Sequence, residues 1–353
     1  MSTAFTYYII TLLVYMGCNA IMVLGLNLQF GQAAIINFSY YILVAVGGYA
    51  AGLSVLGPPQ PVASGGTQYL FGWTLPWPLP ILAAGVAGAI LALLVGVIAV
   101  RRLRSDYLAV ATLVVGEVTW LLTGNTTPVV NGWNGLTGIP QPLADVLNMP
   151  QVQYQWTYLG IVLVFTVLSF LVMQRLTHSP FGRSLRALRE NEYTAAACGK
   201  DVFRLRMTAM VIGGIIAAVG GALFIEFIGT VQPSMWAVPE TFVLFAALIV
   251  GGRGNNWGAV LGAILVPVGF LEATRLLPQT WIDPNLIDPL RWIIIGLVLI
   301  LVLYFRPQGI IPERKARFPQ APRPAGQDEQ VGRPAGQDEQ IGRPAEWVAE
   351  AGK

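Results

Sequence analysis

Long apolar stretches separated by short polar segments run along the chain as far as residue 305. A helix of about 20 apolar residues crosses the hydrocarbon core of a bilayer. The pattern therefore predicts an all-α polytopic membrane protein with about eight to ten transmembrane helices, nine by our count. Because 237–250 is short, we expect it either to cross or to form a re-entrant unit with the next span. The predicted spans are 5–26, 33–56, 79–100, 107–122, 157–173, 207–228, 237–250, 257–277 and 290–305.

The six residues NLQFGQ at 27–32 interrupt the apolar pattern between the first two spans without a single charge. Irregular backbone at membrane depth survives only where protein or a watery cavity satisfies its polar groups. Two interpretations stay open: a helix broken beside a transport path, or a tight hairpin at the cytoplasmic surface. Under the first, the candidate pathway residues of this region are Asn27, Gln29, Gln32, Asn37 and Tyr41.

Basic residues are concentrated in a few connecting segments. Of the 21 Lys and Arg residues, 19 lie in 101–106, 175–206, 251–256 and the tail that follows residue 305. The loops 57–78, 124–156 and 229–239 hold none. Since cytoplasmic loops of membrane proteins carry an excess of Lys and Arg, we expect the basic segments and the C-terminus inside the cell. An odd number of crossings then predicts an N-terminus outside.

The polar run 179–200, SPFGRSLRALRENEYTAAACGK, lies between two predicted spans and has the pattern of a short surface helix. Ser179 is suited to cap its start, Pro180 to its first turn and Gly199 to its end, and Asp201 can cap the next helix. Two interpretations stay open here as well. The segment is either an ordinary basic loop or a helix that docks on a soluble motor. The side chains at helical spacing are Arg183, Arg186, Arg189 and Tyr193, with Leu185 and Leu188 on another face.

Two acids lie within predicted spans, Glu117 in the fourth and Glu226 in the sixth. An ionisable side chain inside the membrane is costly and by default suggests a function. We therefore add both to the candidate translocation pathway, with a buried structural carboxyl as the alternative for each.

Composition and motifs argue against an enzyme. The chain is 55% hydrophobic and 11% charged, whereas soluble domains carry about 25% charged residues. It has one histidine, His178, so neither a metal site nor a Ser-His-Asp site is supported. Neither Gly199-Lys200 nor the glycines of 251–254 continue as a phosphate-binding or dinucleotide-binding loop. Outside the loops the sequence has no basic stripe interleaved with aromatic residues, so nucleic acid is not an expected partner.

Residues 312–353 differ in composition from the membrane part at 1–311. They contain the repeat RPAGQDEQVG at 323–332, then RPAGQDEQIG at 333–342. Such a polar, Pro- and Gly-rich segment cannot bury a core, so we expect a disordered cytoplasmic tail without a role in transport.

The loop 124–156 is rich in Gly, Asn and Pro and is long enough to be an outer docking surface.

Small residues recur four positions apart in three of the predicted spans. Such spacing allows helices in a membrane to approach each other closely. The pattern predicts tight packing at Gly48 and Gly52, at Gly213, Ala217 and Gly221, and at Gly258 and Gly262.

Several motifs in order give the chain a family resemblance over about residues 20–312. It resembles the LivM type of branched-chain amino acid ABC-transporter permease. A match over this length, with the basic loop and its RENE core, is specific. The stretches that carry it are GLNLQFGQAAIINFSYYILVAVGGYAAG at 25–52, DYLAVATLVVGEV at 106–118, NGLTGIPQP at 134–142, SPFGRSLRALRENEYTAAACGKDVFRLR at 179–206, LIVGGRGNNWGAVLGAIL at 248–265 and RPQGI at 306–310.

The resemblance implies a subunit of a larger assembly in a bacterial-type inner membrane. Its partners would be a LivH-like permease subunit or a second copy of the chain, two cytoplasmic ABC ATPases that bind the ATP, and an extracytoplasmic binding protein. This chain would then hold no cofactor itself. In such permeases a cytoplasmic coupling helix docks on the ATPase. The implied docking residues here are Arg183, Arg186, Arg189, Glu190, Asn191 and Glu192.

One departure from the family pattern affects the expected substrate. Relatives often carry Gly and His where this chain has Ser39, Tyr40 and Tyr41. Because relatives of this type also carry urea and short amides, such solutes are the alternative to branched-chain amino acids. A secondary transporter driven by an ion gradient, with Glu117 and Glu226 as coupling acids, is a further alternative.

Overall fold

The computed structural model describes residues 3–59, 68–102, 105–144, 149–269, 284–306 and 308–313. Residues Met1–Glu313 form one compact unit, and Arg314–Lys353, which include the predicted repeat tail, lie outside the described residues. The helices are α1 (Thr3–Leu26), α2 (Tyr40–Val55), α3 (Leu79–Arg102), α4 (Ser105–Asn125), α5 (Thr127–Val130), α6 (Gln151–His178), α7 (Pro180–Glu190), α8 (Glu192–Ala197), α9 (Val202–Ile228), α10 (Val238–Gly251), α11 (Asn256–Leu265) and α12 (Pro284–Phe305).

Within the described ranges, six helical segments are long and apolar enough to cross a membrane. The second and eighth predicted spans correspond to shorter apolar helices, Tyr40–Val55 and Asn256–Gly269. The chain is therefore a multi-pass membrane protein, and nine crossings stay a prediction. The six segments are Phe5–Gln32, Leu79–Ile98, Tyr107–Asn125, Gln151–His178, Val202–Ile228 and Pro233–Gly251.

The polar interruption NLQFGQ does not end the first helix. Residues Asn27–Gln32 continue α1 as a π-helix, which we call the π segment. Irregular backbone follows instead at 33–39, which we had predicted to be helical, and α2 begins only at Tyr40. The side chain of Asn37 accepts hydrogen bonds from the backbone N–H and the hydroxyl of Ser39, and Ala34 adopts a φ of 52°. These local bonds and the left-handed residue delay the helix, and neither is visible in an apolar composition.

Helix α9 lies at the centre of the molecule, packed against α1, α2 and α3. Its small residues allow the backbones to meet. A Cβ atom on Gly213 would lie 2.8 Å from the carbonyl oxygen of Gly25 in α1, and one on Gly221 would overlap the carbonyl of Val44 in α2. The predicted close packing at Gly213, Ala217 and Gly221 is confirmed.

Helices α10 and α11 form a tight antiparallel pair that also uses small residues. A Cβ atom on Gly258 would lie 2.7 Å from the carbonyl oxygen of Gly251, and one on Gly262 would overlap that of Ala247. The chain turns between the helices through 252–255. The backbone N–H groups of Ile310 and Ile311 donate to the carbonyls of Val250 and Gly251. The last residues of the membrane part predicted at 1–311 are therefore attached to this turn.

A small ladder joins the loops at the predicted outer end, a minor departure from an all-α fold. Strand β1 (Leu136–Thr137) pairs antiparallel with β2 (Thr230–Val231). The N–H of Ile139 donates to the carbonyl of Gly229 over 3.0 Å, and Ile139 is buried. Part of the 124–156 loop thus packs on the helices.

The basic segment forms two helices instead of one. Ser179 caps α7 by accepting from the N–H of Gly182, and Asp201 caps α9, both as predicted. Helix α7 ends at Glu190, earlier than the end predicted at Gly199, and Asn191 is extended with a φ of −154°. The Asn191 side chain accepts from the N–H of Thr194 and so caps α8. An Asn that can cap a new helix competes with the helix that precedes it.

Candidate functional site

A largely buried polar cluster joins the π segment to α6 and α11. We use "polar cluster" for Asn27, Gln32, Gln174, Thr177 and Asn256. The amide of Asn27 donates to Asn256 Oδ1 over 2.9 Å, and Asn256 Nδ2 donates to Gln174 Oε1 and Thr177 Oγ1 over 3.0 and 3.2 Å. Gln32 donates to a backbone carbonyl of the α10–α11 turn over 2.6 Å. The cluster holds three separate parts of the chain at one point.

A second set of amides attaches the π segment to the central helix. Gln29 Nε2 donates to the carbonyl of Met210 in α9 over 2.9 Å. Its Oε1 accepts from Asn37 Nδ2 over 3.1 Å. A buried amide without partners would cost about 1–3 kcal/mol, so these bonds fix the position of the segment.

Four of the predicted pathway residues are buried and bonded within the protein. Asn27, Gln29, Gln32 and Asn37 are all 0% exposed and bonded to protein groups. Their hydrogen bonds support the π segment and the irregular backbone at 33–39. A role in contacting solute stays a prediction for all four.

Arg189, in the last turn of α7, points into the membrane unit. Its guanidinium donates through Nη1 to the carbonyl of Gly31 and through Nη2 to Glu313 Oε2, the latter over 2.6 Å. Both side chains of this ion pair are 22% exposed. Arg189 thus connects the predicted docking segment to the π segment and to residue 313.

The other predicted docking residues divide into two groups. Glu192 forms a two-pronged ion pair with Arg206 of α9, at 3.0 and 2.9 Å, and Asn191 caps α8. Arg183 and Glu190 are exposed and Arg186 is half-buried. Within the described residues, none of these three side chains has a hydrogen bond or ion pair. Of the predicted docking residues, these three have side chains available to an external partner.

The apolar face of α7 holds the segment in place. Leu185 and Leu188 are buried, as their spacing predicted. Tyr193 lies beyond the break at Asn191 and is 80% exposed. It therefore belongs to α8 and does not extend the arginine face of α7.

An apolar groove of about 420 Å³ opens beside the π segment. Phe30 of the π segment and Phe38 of the irregular backbone line it on one side, and Phe242 and Phe245 of α10 on the other. The ring centroids of Phe30 and Phe245 are 5.1 Å apart, and those of Phe38 and Phe242 are 5.2 Å apart. Phe30 directly precedes Gly31, whose carbonyl Arg189 holds.

The bulky residues that depart from the family pattern pack inside the molecule. The hydroxyl of Tyr40 donates to the carbonyl of Met22 over 2.6 Å. The ring of Tyr41 lies against Trp236, with centroids 5.5 Å apart, and its N–H donates to Thr241 Oγ1. Tyr41 is 9% exposed, at the edge of the buried class, so direct contact with solute stays a prediction.

The two intramembrane acids have different surroundings. Glu226 is 1% exposed, and its carboxyl oxygens accept no hydrogen bond from the described part of the chain. Glu117 is half-buried on α4, beside the exposed Val114 and Val118. No group of three or more His, Cys, Asp or Glu residues that could hold a metal ion occurs among the described residues.

Several residues of the site were missed by sequence reasoning. Asn256, Gln174 and Thr177 complete the polar cluster, and Glu313 and Arg206 supply the ion pairs. The sequence contains only a weak signal for the residues of the polar cluster. Asn255-Asn256 stands out as a polar pair before an apolar helix, and Gln174 and Thr177 lie one turn apart at the end of an apolar span.

Comparison with known proteins identifies the family. Residues 8–303 match the family model described as "Branched-chain amino acid transport system / permease component". A probable branched-chain amino acid transport permease protein LivM of Methanocaldococcus jannaschii is 31% identical, covering 86% of this chain and 93% of the relative. The high-affinity branched-chain amino acid transport system permease protein LivM of Escherichia coli is 29% identical, covering 83% of this chain and 67% of its own length.

A second type of relative matches more distantly. The probable branched-chain amino acid transport permease protein LivH of Methanocaldococcus jannaschii is 25% identical, covering 84% of this chain and 90% of the relative. No solved structure matches the chain. The match over most of the membrane part shows that the chain belongs to the family of branched-chain amino acid transport system permease components.

Proposed function

We propose that the chain is the membrane-spanning permease subunit of an ATP-driven importer of branched-chain amino acids. The family match and the six long apolar helices of the described residues support a transport permease. The observation that carries the ATP-driven part is the α7–α8 segment. It is anchored inward through Leu185, Leu188 and Arg189, and it leaves the side chains of Arg183, Arg186 and Glu190 without partners in the described residues.

The proposed assembly contains further chains. Two cytoplasmic ATPases bind and hydrolyse the ATP, since this sequence has no phosphate-binding loop of its own. A LivH-like subunit or a second copy completes the pathway, and an extracytoplasmic binding protein delivers the solute. The charge bias supports a cytoplasmic position for the α7–α8 segment and the C-terminus, and an odd number of crossings would then put the N-terminus outside.

Energy from ATP reaches the pathway only if the ATPases contact the permease differently in its two states. Helix α7 is suited to this because it is short, packed and joined directly to α6. Through Glu192 and Arg206, α8 is bonded to α9, the central helix. A displacement of the segment is therefore passed to two membrane helices at once.

The coupling role is tested by charge reversal in the assembled transporter. The variant Arg183→Glu/Arg186→Glu should lose ATPase association and ATP-dependent leucine uptake by about ten-fold or more, because both unpaired cations are replaced by anions. Pull-down of the ATPases and uptake into proteoliposomes measure this. Arg253→Glu, at an exposed arginine in the α10–α11 turn, is the matched control. Equal losses in both variants, or none in either, would contradict the docking role.

The substrate is tested separately on the cognate binding protein and the assembled transporter. We expect leucine, isoleucine and valine to bind and to compete for uptake, and urea and acetamide to do neither. The groove lined by four phenylalanines suits an aliphatic side chain better than a small polar amide. Competition by urea or acetamide, with no effect of the three amino acids, would replace the proposed substrate class.

A further inference from the structure

Four separate segments of the chain meet at the guanidinium of Arg189. The residue itself belongs to α7, Gly31 to the π segment and Glu313 to the residues after α12. Gly254 of the α10–α11 turn lies so close that a Cβ atom there would be 3.0 Å from Arg189 Nη1 and 2.7 Å from Glu313 Oε2. No other ion pair in the described residues joins α7 to the rest of the molecule.

The contact with Gly31 falls at the C-terminal end of the π segment. Carbonyls at the end of a helix have no partner within it, so an external donor satisfies this one. Gln32, the next residue, donates to the carbonyl of Gly254 over 2.6 Å. The end of the π segment is therefore fixed from two sides, by α7 and by the α10–α11 turn.

The residue before Gly31 extends the connection to the groove. Phe30 lines the groove and packs edge-on against Phe245 of α10. Any movement of the Gly31 carbonyl moves the backbone that carries Phe30. A π-helix is rare and often marks a functional site.

We propose that Arg189 is a positioning residue that transmits displacement of α7 to the π segment and, through Phe30, to the apolar groove. Glu313 holds the guanidinium in the orientation that reaches Gly31. Arg189 therefore acts on the side of α7 that faces the membrane unit, while Arg183 and Arg186 act on the side that faces the ATPase. This inference rests on the proposed function, since it assigns the route by which that function is coupled.

The first test separates transport from hydrolysis. The complete transporter, with parent or variant chain, is reconstituted in proteoliposomes, and leucine uptake and ATP hydrolysis are measured together. In Arg189→Ala and Glu313→Ala, leucine taken up per ATP hydrolysed should fall about ten-fold while hydrolysis continues. Arg204→Ala is the control because its ion pair with Asp201 is exposed, with side chains 85% and 52% accessible. An unchanged ratio in both variants would overturn the proposal.

The second test reads the π segment directly by hydrogen exchange and mass spectrometry. Amide exchange over 27–38 is compared between the resting complex and the complex trapped with ATP and vanadate. We expect trapping to change this exchange in the parent and in Arg204→Ala but not in Arg189→Ala. A change that persists in Arg189→Ala, or none in the parent, overturns the proposal. Absence of ATP-dependent uptake in the parent would instead overturn the proposed function.

Discussion

Asn256 occupies the centre of the polar cluster, with both ends of its amide engaged. It accepts from Asn27 and donates to Gln174 and Thr177, so one side chain joins α11 to α6 and to the π segment. In an apolar interior, polar groups that lose their partners cannot turn to water. At the scale of single residues, the irregular backbone beside the groove therefore depends on a few amides that are distant in sequence.

Replacing Asn256 by Ala should reduce stability by about 2 kcal/mol, because Asn27 and Gln174 each lose a buried partner. The midpoint of thermal unfolding of the purified protein in detergent measures the effect. Asn125→Ala is the control, since Asn125 is exposed and bonds only within its own helix. Equal midpoints for the two variants would mean that the cluster does not stabilise the fold.

The sequence predicted an interruption at 27–32 but not the bonding partners of its polar residues. Polar residues in an apolar run indicate that something satisfies them, and both a watery path and a protein partner do so. The partner of Asn27 lies 229 positions away. A single sequence contains no information on that pairing. For the same reason the sequence does not separate Arg189 from the docking residues Arg183 and Arg186, although Arg189 binds Gly31 and Glu313.

Helix packing at the scale of elements depends on places where two backbones nearly touch. Helix α9 meets α2 at Gly221 and Val44, and it meets α3 where Gly88 lies against Gly214. Small residues at such crossings permit the dispersion contacts that drive association of helices in lipid. The four-residue spacing predicted close packing at Gly221, but not the crossing at Gly88 and Gly214. Periodicity and the capping residue Ser179 also predicted the start of α7, but they could not predict the break at Asn191 or the late start of α2.

The variant Gly221→Ala should destabilise the protein by about 2 kcal/mol or more, since the added methyl group overlaps the Val44 carbonyl. Gly160→Ala is a matched control on α6, where an added Cβ meets nothing within 4 Å. The same change there should be neutral or stabilising, because Ala favours helix over Gly by about 1 kcal/mol. Yield of monodisperse protein and the unfolding midpoint compare them. A tolerant Gly221 would contradict the close crossing of α2 and α9.

The whole molecule, as far as it is described, is a helical membrane unit whose basic segments gather at one predicted side. Composition and apolar length sufficed to predict a multi-pass membrane protein. Crossing by all nine predicted spans stays a prediction, because the described parts of 33–56 and 257–277 form helices shorter than a bilayer requires. The orientation of the chain in the membrane is predicted only from the distribution of its charges.

Cysteine labelling tests the orientation directly. Cys198 is exposed next to α8 and Cys18 is buried, so a membrane-impermeant maleimide should label the parent only after the cytoplasmic side is opened. The variant Cys198→Ser/Asn134→Cys moves the exposed thiol to the predicted outer loop and should be labelled in intact cells. Labelling of the parent at Cys198 in intact cells, with the introduced thiol of the variant protected, would reverse the predicted orientation.

The central claim is that ATP hydrolysis by partner subunits drives solute through this chain. The most direct measurement is leucine uptake into proteoliposomes that contain the full transporter, with binding protein outside and ATP inside. We expect uptake to require ATP and the binding protein, and to persist when ionophores dissipate all ion gradients. Uptake that continues without ATP and stops when the ion gradients are dissipated would contradict the claim and favour an ion-coupled transporter.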